Sequence, residues 1–446
     1  MRSNRENRRM NIEYRFTNKE VTPWGGMVFL KQFLDKIGFA GQVADCQALP
    51  QPGSNRGYSP VVILEAFICS IWCGANRFLH TEVTRSDRAL ADIFSWKRVP
   101  GQDTYKRFFG KFTQAMNQQV SDYFYRWIFT HIQFDNFTLD LDSSVLGRYG
   151  NQQGARKGYN PAKKGRSSHH PLIAFINDVK LVANMWLRSG DTSASNNVLG
   201  FLEDTLGKLQ GKKVSLIRLD SGFFAHDILN YLEAHERNYI VAARFYRPIQ
   251  REISSRQNWL VLDEGIEVCE LDYHGSKWDK SRRMVVVRQQ IQQRPEATGK
   301  TLRLFEDDQV YRNYRYSAYV TNLEFGPAEI WRLYRGRGDA ENRIKELKQD
   351  FGFESFNLNG FFPTEAALSF AMIAYNLMAI FRMFVLQEKT QKHLSTLRYR
   401  TFAIGAYFEK VKGNLVLRIA LTKKRRKWFE SLWDYPIQFP VHFSNA

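Results

Sequence analysis

Between residues 137 and 243 the chain alternates apolar strand-like runs with helical ones in an order that few folds accommodate. Phe137–Val145, His170–Ile176 and Leu181–Leu187 read as three consecutive strands, the last two joined by the turn Asn177-Asp178. A helix over 195–209, a strand ending in Asp220, a helix over 226–236 and a strand over Tyr239–Ala243 complete a β-β-β-α-β-α-β order. That order predicts an α/β fold. Residues 246–312 break the pattern: they are charged, carry Trp259 and Trp278, and suggest short strands and hairpins inserted into the core. Tyr316–Thr321 resumes the sheet, and Pro327 opens a helix that runs on through Lys348. Ala366–Phe384 is a further buried helix.

Upstream, residues 24–130 are predicted to be mostly helical, with Phe29, Phe33 and Ile37 repeating at four-residue spacing. Asp103 or Thr104 is the expected cap of a helix that presents Lys106, Arg107 and Lys111. The expected division is a helical N-terminal domain (1–130), a core in two parts (131–245 and 316–385), a β-rich insertion (246–315) and a C-terminal region (386–446).

Charge narrows the function. Against 45 Asp+Glu stand 64 Lys+Arg, a formal net charge of +19, and such an excess attracts polyanions, most simply nucleic acid. No run of about 18 apolar residues stands out, so a membrane partner is not expected. The first nine residues lack the apolar core of a signal peptide. Cys46, Cys69, Cys73 and Cys269 do not have zinc-site spacing and read as buried thiols in a reducing cytoplasm.

Three carboxylates carry the candidate chemistry. Asp142 and Asp220 each close an apolar strand, before Ser143-Ser144 and Ser221-Gly222 respectively. Glu341 lies on a helix whose same face holds Arg337, Lys345 and Lys348. Oxygen donors from two strand ends and a helix suit two hard divalent cations, which at a separation of about 3.5–4 Å clamp both oxygens of a phosphoryl transfer. Taken singly, each Asp also reads as a turn former and Glu341 as one half of a solvated ion pair. Asp140 lies on the same strand face as Asp142. The strand's exit at Ser143-Ser144 favours Asp142.

The spacing Tyr334-(two residues)-Arg337-(three)-Glu341-(six)-Lys348 resembles the signature of DDE transposases of bacterial insertion sequences, in the insertion sequence 4 superfamily. The chain from about 20 to 430 resembles the family 1380 branch of that superfamily. The blocks that carry this are Leu139-Asp-Leu-Asp142-Ser-Ser, Tyr159–Arg166 with His169-His-Pro171, Arg218-Leu-Asp220-Ser-Gly-Phe223, and Arg98–Thr104. Ser144 stands where the family usually has Thr, and the hydroxyl is kept.

The resemblance implies an RNase H-like catalytic core interrupted by a β-rich insertion. It implies that Asp142, Asp220 and Glu341 bind two Mg²⁺, with Mn²⁺ as a substitute. It further implies that Tyr334, Arg337 and Lys348 hold the DNA backbone, and that Trp259 or Trp278 receives a flipped base. Lys163, Lys164 and Arg166 of the basic loop, and Lys106 and Arg107 of the N-terminal helix, are further DNA-contact candidates.

The implied activity is binding of the element's inverted-repeat ends, cleavage, and joining of 3′-hydroxyl ends to target DNA. A homodimer on double-stranded DNA would carry it out, in the bacterial cytoplasm and at the nucleoid when bound. The rival readings are a catalytically silent DNA-binding derivative and an RNase H-like nuclease that never joins strands.

Overall fold

The computed structural model describes residues 13–291, 314–387, 390–435 and 441–442. Nine strands form one mixed sheet: β1 (Phe137–Ser143), β2 (Leu172–Ile176), β3 (Leu181–Trp186), β4 (Val214–Leu219), β5 (Tyr239–Ala242), β6 (Leu260–Asp263), β7 (Ile266–Tyr273), β8 (Arg282–Gln290) and β9 (Tyr314–Thr321). Their spatial order is β6-β7-β8-β9-β5-β4-β1-β2-β3. β1, β2 and β3 pair antiparallel, as their short connections require, while β4 and β5 join in parallel after helical crossovers.

The strands expected from the sequence are all present, and the insertion joins them. Its strands β6, β7 and β8 extend the same sheet beyond β9, each pairing antiparallel with the next. The stretch 292–313 lies outside the described residues.

The parallel register of β1 and β4 places the candidate site. Asp140 sits opposite Arg218 and Leu141 opposite Leu219, so Asp142 and Asp220 are the next residues on adjacent strands. β1 is buried on both faces, which is why its side chains can matter on either side.

The N-terminal helices form because their ends are marked. Ser59 Oγ accepts from Val62 N, Pro60 occupies the first turn, and Gly74 stops the Pro60–Cys73 helix at φ 114°. The expected cap at Asp103 or Thr104 is not made. The Gln102–Phe109 helix has Gly101 at its N-cap, two residues before Asp103, and Glu82 accepts the Gln102 N–H at 2.7 Å.

These helices pack directly on the C-terminal half. Trp72 Nε1 donates to Ala374 O at 3.2 Å, Asn117 Nδ2 donates to Glu365, and Phe109 meets Phe370. One buried core runs from Met27 to Leu432, and a smaller one lies under the Pro327–Arg335 helix on the sheet. Val21–Thr22 pairs with the hairpin of Ala406–Val411 and Asn414–Ile419.

The helix Phe361–Phe381, extended by a π-helical turn to Leu386, is apolar and long enough to cross a membrane. The buried helix expected over Ala366–Phe384 is present, and only its apolar length was not noted from the sequence. Of its most apolar 18-residue stretch 83% is buried within the protein, which accounts for its composition. Its Asn376 both accepts from Val182 N and donates to Val182 O, each at 2.8 Å, so it satisfies an open peptide of edge strand β3.

Candidate active site

The helix predicted to run unbroken from Pro327 to Lys348 is two helices, Pro327–Arg335 and Gly338–Asp350. The break has an identifiable cause. Arg218 reaches in from β4 and donates from Nη1 to Leu333 O, the carbonyl that an unbroken helix would reserve for the Arg337 N–H. The Arg337 N–H bonds Tyr334 O instead. A Cβ on Gly336 would stand 2.5 Å from that Arg218 nitrogen, so only glycine leaves room.

Arg218 is itself fixed from below. Its Nε and Nη2 donate to Asp140 Oδ1 and Oδ2 at 2.6 and 2.7 Å, and both residues are buried. This bidentate pair separates the two Asp residues of β1 by role. Asp140 holds Arg218, and Asp142, two residues on, faces the helix break. Asp140 and Arg218 are one functional unit that the sequence reading missed. The signal was present: Asp-Leu-Asp142 and Arg-Leu-Asp220 share one spacing on adjacent strands.

Asp142, Asp220 and Glu341 come together on a single guanidinium. Arg337 Nη2 lies 2.9 Å from Asp142 Oδ2 and 4.0 Å from Asp220 Oδ2, and its Nη1 lies 3.6 Å from Glu341 Oε1. The other oxygen of each Asp is anchored. Asp142 Oδ1 accepts from Ser143 N, and Asp220 Oδ1 from Gly222 N, both at 2.7 Å. Gly222 is required here, because a Cβ would sit 2.8 Å from that same Oδ1. Each Asp therefore turns its other oxygen, Oδ2, toward Arg337.

Exposure rises across the three, with side chains 9%, 34% and 71% accessible for Asp142, Asp220 and Glu341. The site is closed below and open on the Glu341 side.

Burial pushes the Asp142 carboxyl up to about 7, with Arg337 opposing the rise and Asp220 adding to it. Burial also works against the charge on Arg337, but the surrounding carboxylates, Asp142 first, hold it charged. Its Nε has no hydrogen-bond partner. Three carboxylates facing one guanidinium leave an excess of negative charge and a set of hard oxygen donors. That is the donor set Mg²⁺ or Mn²⁺ selects.

The other residues of the signature are turned inward. Tyr334 stacks on Tyr319 at 4.4 Å with its hydroxyl 3.4 Å from Leu219 O, and burial raises its pKa. Lys348 Nζ donates to Val145 O at 3.0 Å, and burial lowers its pKa. Tyr334, Arg337 and Lys348 thus brace the ends of β4 and β1.

Lys163, Lys164 and Arg166 are exposed on a loop beside the exit of β1, where Lys163 and Arg166 both lie over the Tyr149 ring. Lys106 and Arg107 are exposed on the N-terminal helix, and Lys106 pairs with Asp103 at 3.6 Å. Trp278 packs against Phe224, four residues past Asp220, with Arg282 over its ring. Trp259 lies under Arg288 and against Tyr316, on the inserted strands.

A second acidic group, Glu346, Asp350 and His393, has ligand atoms within 4.8 Å of one another. Glu346 reads from sequence as an ordinary helix charge, but it is fully buried. It takes Arg382, Arg343 at 3.4 Å and the Leu394 N–H at 3.0 Å, while Asp350 accepts from Ser395 N. Its charge is already spent on joining the Glu341 helix to the segment after the Phe361–Phe381 helix.

Two aspartates on neighbouring strand ends and a glutamate on a later helix thus converge, in that chain order, on Arg337. The chain belongs to the transposase DDE domain group 1 family, whose profile matches residues 4–435. Among solved structures it is similar to a cryo-EM structure of the piggyBac transposase synaptic complex with hairpin DNA. Identity is 14%, the match covers 86% of this chain and 81% of that one, and the TM-score is 0.47. No curated protein sequence matches it.

Proposed function

We propose that this protein is the transposase of a bacterial insertion sequence. On this reading it binds the inverted-repeat ends of its element, cleaves the DNA and joins the 3′-hydroxyl ends to target DNA. The observation that carries this is the convergence of Asp142, Asp220 and Glu341 on Arg337, in a chain of net charge +19. The Tyr334, Arg337, Glu341 and Lys348 spacing favours the insertion sequence 4 superfamily and its family 1380 branch. The run β3-β2-β1-β4-β5, with β4 parallel to β1, supports an RNase H-like core. The helical region before 131 and the strands of 246–315 are then its DNA-binding and inserted parts.

Asp142, Asp220 and Glu341 would hold two Mg²⁺, for which Mn²⁺ can substitute. When bound, the ions supply charge for the attacking and leaving oxygens of an in-line phosphoryl transfer. The protein's part is positioning. The anchored oxygens of Asp142 and Asp220 fix the direction in which their second oxygens point. Arg337 neutralises the centre in the form described, and holds a DNA phosphate once its guanidinium turns from Asp142 to the substrate. Lys348 and Tyr334, turned inward in the form described, would reach the same backbone only on release from Val145 O and Leu219 O. Lys163, Lys164, Arg166, Lys106 and Arg107 extend the contact along the duplex, and Trp278, packed near Asp220, is the better placed of the two tryptophans to receive a flipped base. Two ends require two such centres, hence a homodimer on DNA, acting in the cytoplasm at the nucleoid.

The test is incubation of the purified chain with plasmid carrying the element's ends and Mg²⁺. We expect nicks at the ends and strand-transfer products, both absent with Asp220→Ala. Full activity of Asp220→Ala would reject the assignment. Hydrolysis without joined products would point to a nuclease instead.

A further inference from the structure

Far from the carboxylates, two π-helical turns meet the start of the Lys423–Trp433 helix around a cavity of about 290 Å³. Arg382–Leu386 contributes Leu386. Arg398–Phe402 contributes Tyr399, Arg400 and Thr401, and the helix contributes Arg425 and Trp428. π-Helical turns are well under about 1% of residues in proteins and recur at functional sites. Two of them lining one cavity is a feature of the fold that core packing alone does not require.

The cavity lies outside the site already described. The Phe361–Phe381 helix starts where Glu365 accepts Leu187 N, just past Trp186. That is the Asp142 end of the sheet, since Trp186 pairs with Leu172 and Leu172 with Ser143. Asn376 is fixed to Val182 toward the opposite end, and Leu386 is ten residues further, about 15 Å along the axis.

The walls are two aromatic rings and two guanidinium groups. Tyr399 is 80% exposed. Trp428 is half-buried, held from behind by Phe29 and covered by Arg425 at 4.8 Å. Arg425 also donates to Arg400 O, which ties the helix to the second π turn. Lys423, Lys424, Arg426 and Lys427 are neighbours of Arg425 on the same helix, whose first turn has no acidic residue. Among the described residues none of these six cations makes an ion pair, and they outnumber Glu430, the one acidic residue of the Lys423–Trp433 helix. A ligand that uses all of this is planar, π-rich and anionic.

We infer that this cavity is a nucleotide subsite, which holds one unpaired DNA nucleotide with its base on Tyr399 and its phosphate between Arg400 and Arg425. The inference rests on the reading of the chain as a DNA-processing protein and adds to it a second DNA contact that plays no part in bond cleavage. Base–aromatic stacking tolerates any sequence, and guanidinium groups track the backbone, so the subsite selects for single-stranded character rather than for a base.

The experiment is fluorescence anisotropy of the full chain with a labelled ten-nucleotide thymidine strand, the same strand with abasic positions, and a duplex. Tyr399→Ala weakens binding of the intact strand roughly fivefold or more, Tyr399→Phe does not, and the abasic strand binds wild type as weakly as the intact strand binds Tyr399→Ala. Arg400→Gln flattens the log–log salt dependence by about 0.7. Photo-crosslinking with 5-iodouracil in the strand labels the peptides of Tyr399 or Trp428. Equal binding of intact and abasic strands, crosslinks confined to the carboxylate site, or a Tyr399 dependence seen only on phosphatidylserine vesicles would each overturn the inference. Failure of the transposase reading is seen separately, as absence of metal-dependent nicking by wild type.

Discussion

Asp140 and Asp142 are two residues apart on one strand face, yet the structure assigns them opposite effects on stability. Asp140 makes a buried bidentate pair with Arg218 at 2.6 and 2.7 Å. Asp140→Ala leaves the buried Arg218 without its counter-charge, and breaking such a pair from one side costs about 3–5 kcal/mol. With an unfolding entropy of about 2.1 cal/mol/K per residue, 446 residues unfolding as one unit give about 0.9 kcal/mol/K, so the loss appears as a Tm drop of about 3–5 °C.

Burial raises the Asp140 carboxyl, but there Arg218 opposes it through two hydrogen bonds, and Asp142 has no such bidentate partner. Burial raises its carboxyl to about 7, which means that ionising it costs the fold free energy. Asp142→Asn removes that cost and keeps the shape. Arg337 retains Asp220 and Glu341 within 4.0 Å. We expect its Tm to stay within about 1 °C of wild type or to rise, while end nicking is lost. Differential scanning fluorimetry on both variants, with nicking in parallel, decides the matter. Equal Tm losses for the two, or no loss for Asp140→Ala, would refute the division of roles.

Two further outcomes follow from the geometry. Gly336→Ala would gain up to about 1 kcal/mol of helix propensity if it lay in an ordinary helix. Here its Cβ meets Arg218 at 2.5 Å, and crowding of this kind costs about 1–3 kcal/mol, so the Tm should fall and nicking with it. A rise in Tm would show that the Arg218 contact does not constrain the break. His169 is buried between Arg148 Nε and Gln153 O, and burial lowers its pKa to about 4. An unfolded His titrates near 6.5, so its contribution to stability is complete above that pH and is lost as pH falls toward 4, about 3 kcal/mol in all. Urea midpoints at pH 7 and pH 5 should differ less for His169→Gln than for wild type, and an unchanged difference would count against it.

Much of the sheet was legible because its strands are short, apolar and bounded by turn residues. The Asp142 and Asp220 ends follow from the same pattern, and the Glu341 face from helical spacing. What sequence could not show is what depends on distant partners. The break at Gly336 is made by Arg218, a residue of another strand, and local periodicity carries no trace of it. Glu346 looks solvated in a Lys- and Glu-rich helix until Arg382 and Leu394 arrive from beyond the next helix. The insertion announced itself as β-rich, but whether its strands form a separate body or lengthen the sheet depends on β8 pairing with β9, which composition does not encode. The π turns at Arg382 and Arg398 have no sequence signature we can name.

The interlocking of early and late segments also has a temporal side. Val21–Thr22 finds its partners only when Ala406 and Tyr407 have been made, and Trp72 bonds Ala374. At roughly 5–20 residues per second, the first wait lasts about 20–80 s. For about 200 residues of synthesis the ribosome carries Asp142 without Glu341 or the neutralising Arg337, on strands whose covering helix has yet to be made. A chain that ends before residue 341 therefore lacks one of the three converging carboxylates. The three carboxylates come together only once the Glu341 helix has been made, and the segments that close the core follow later still.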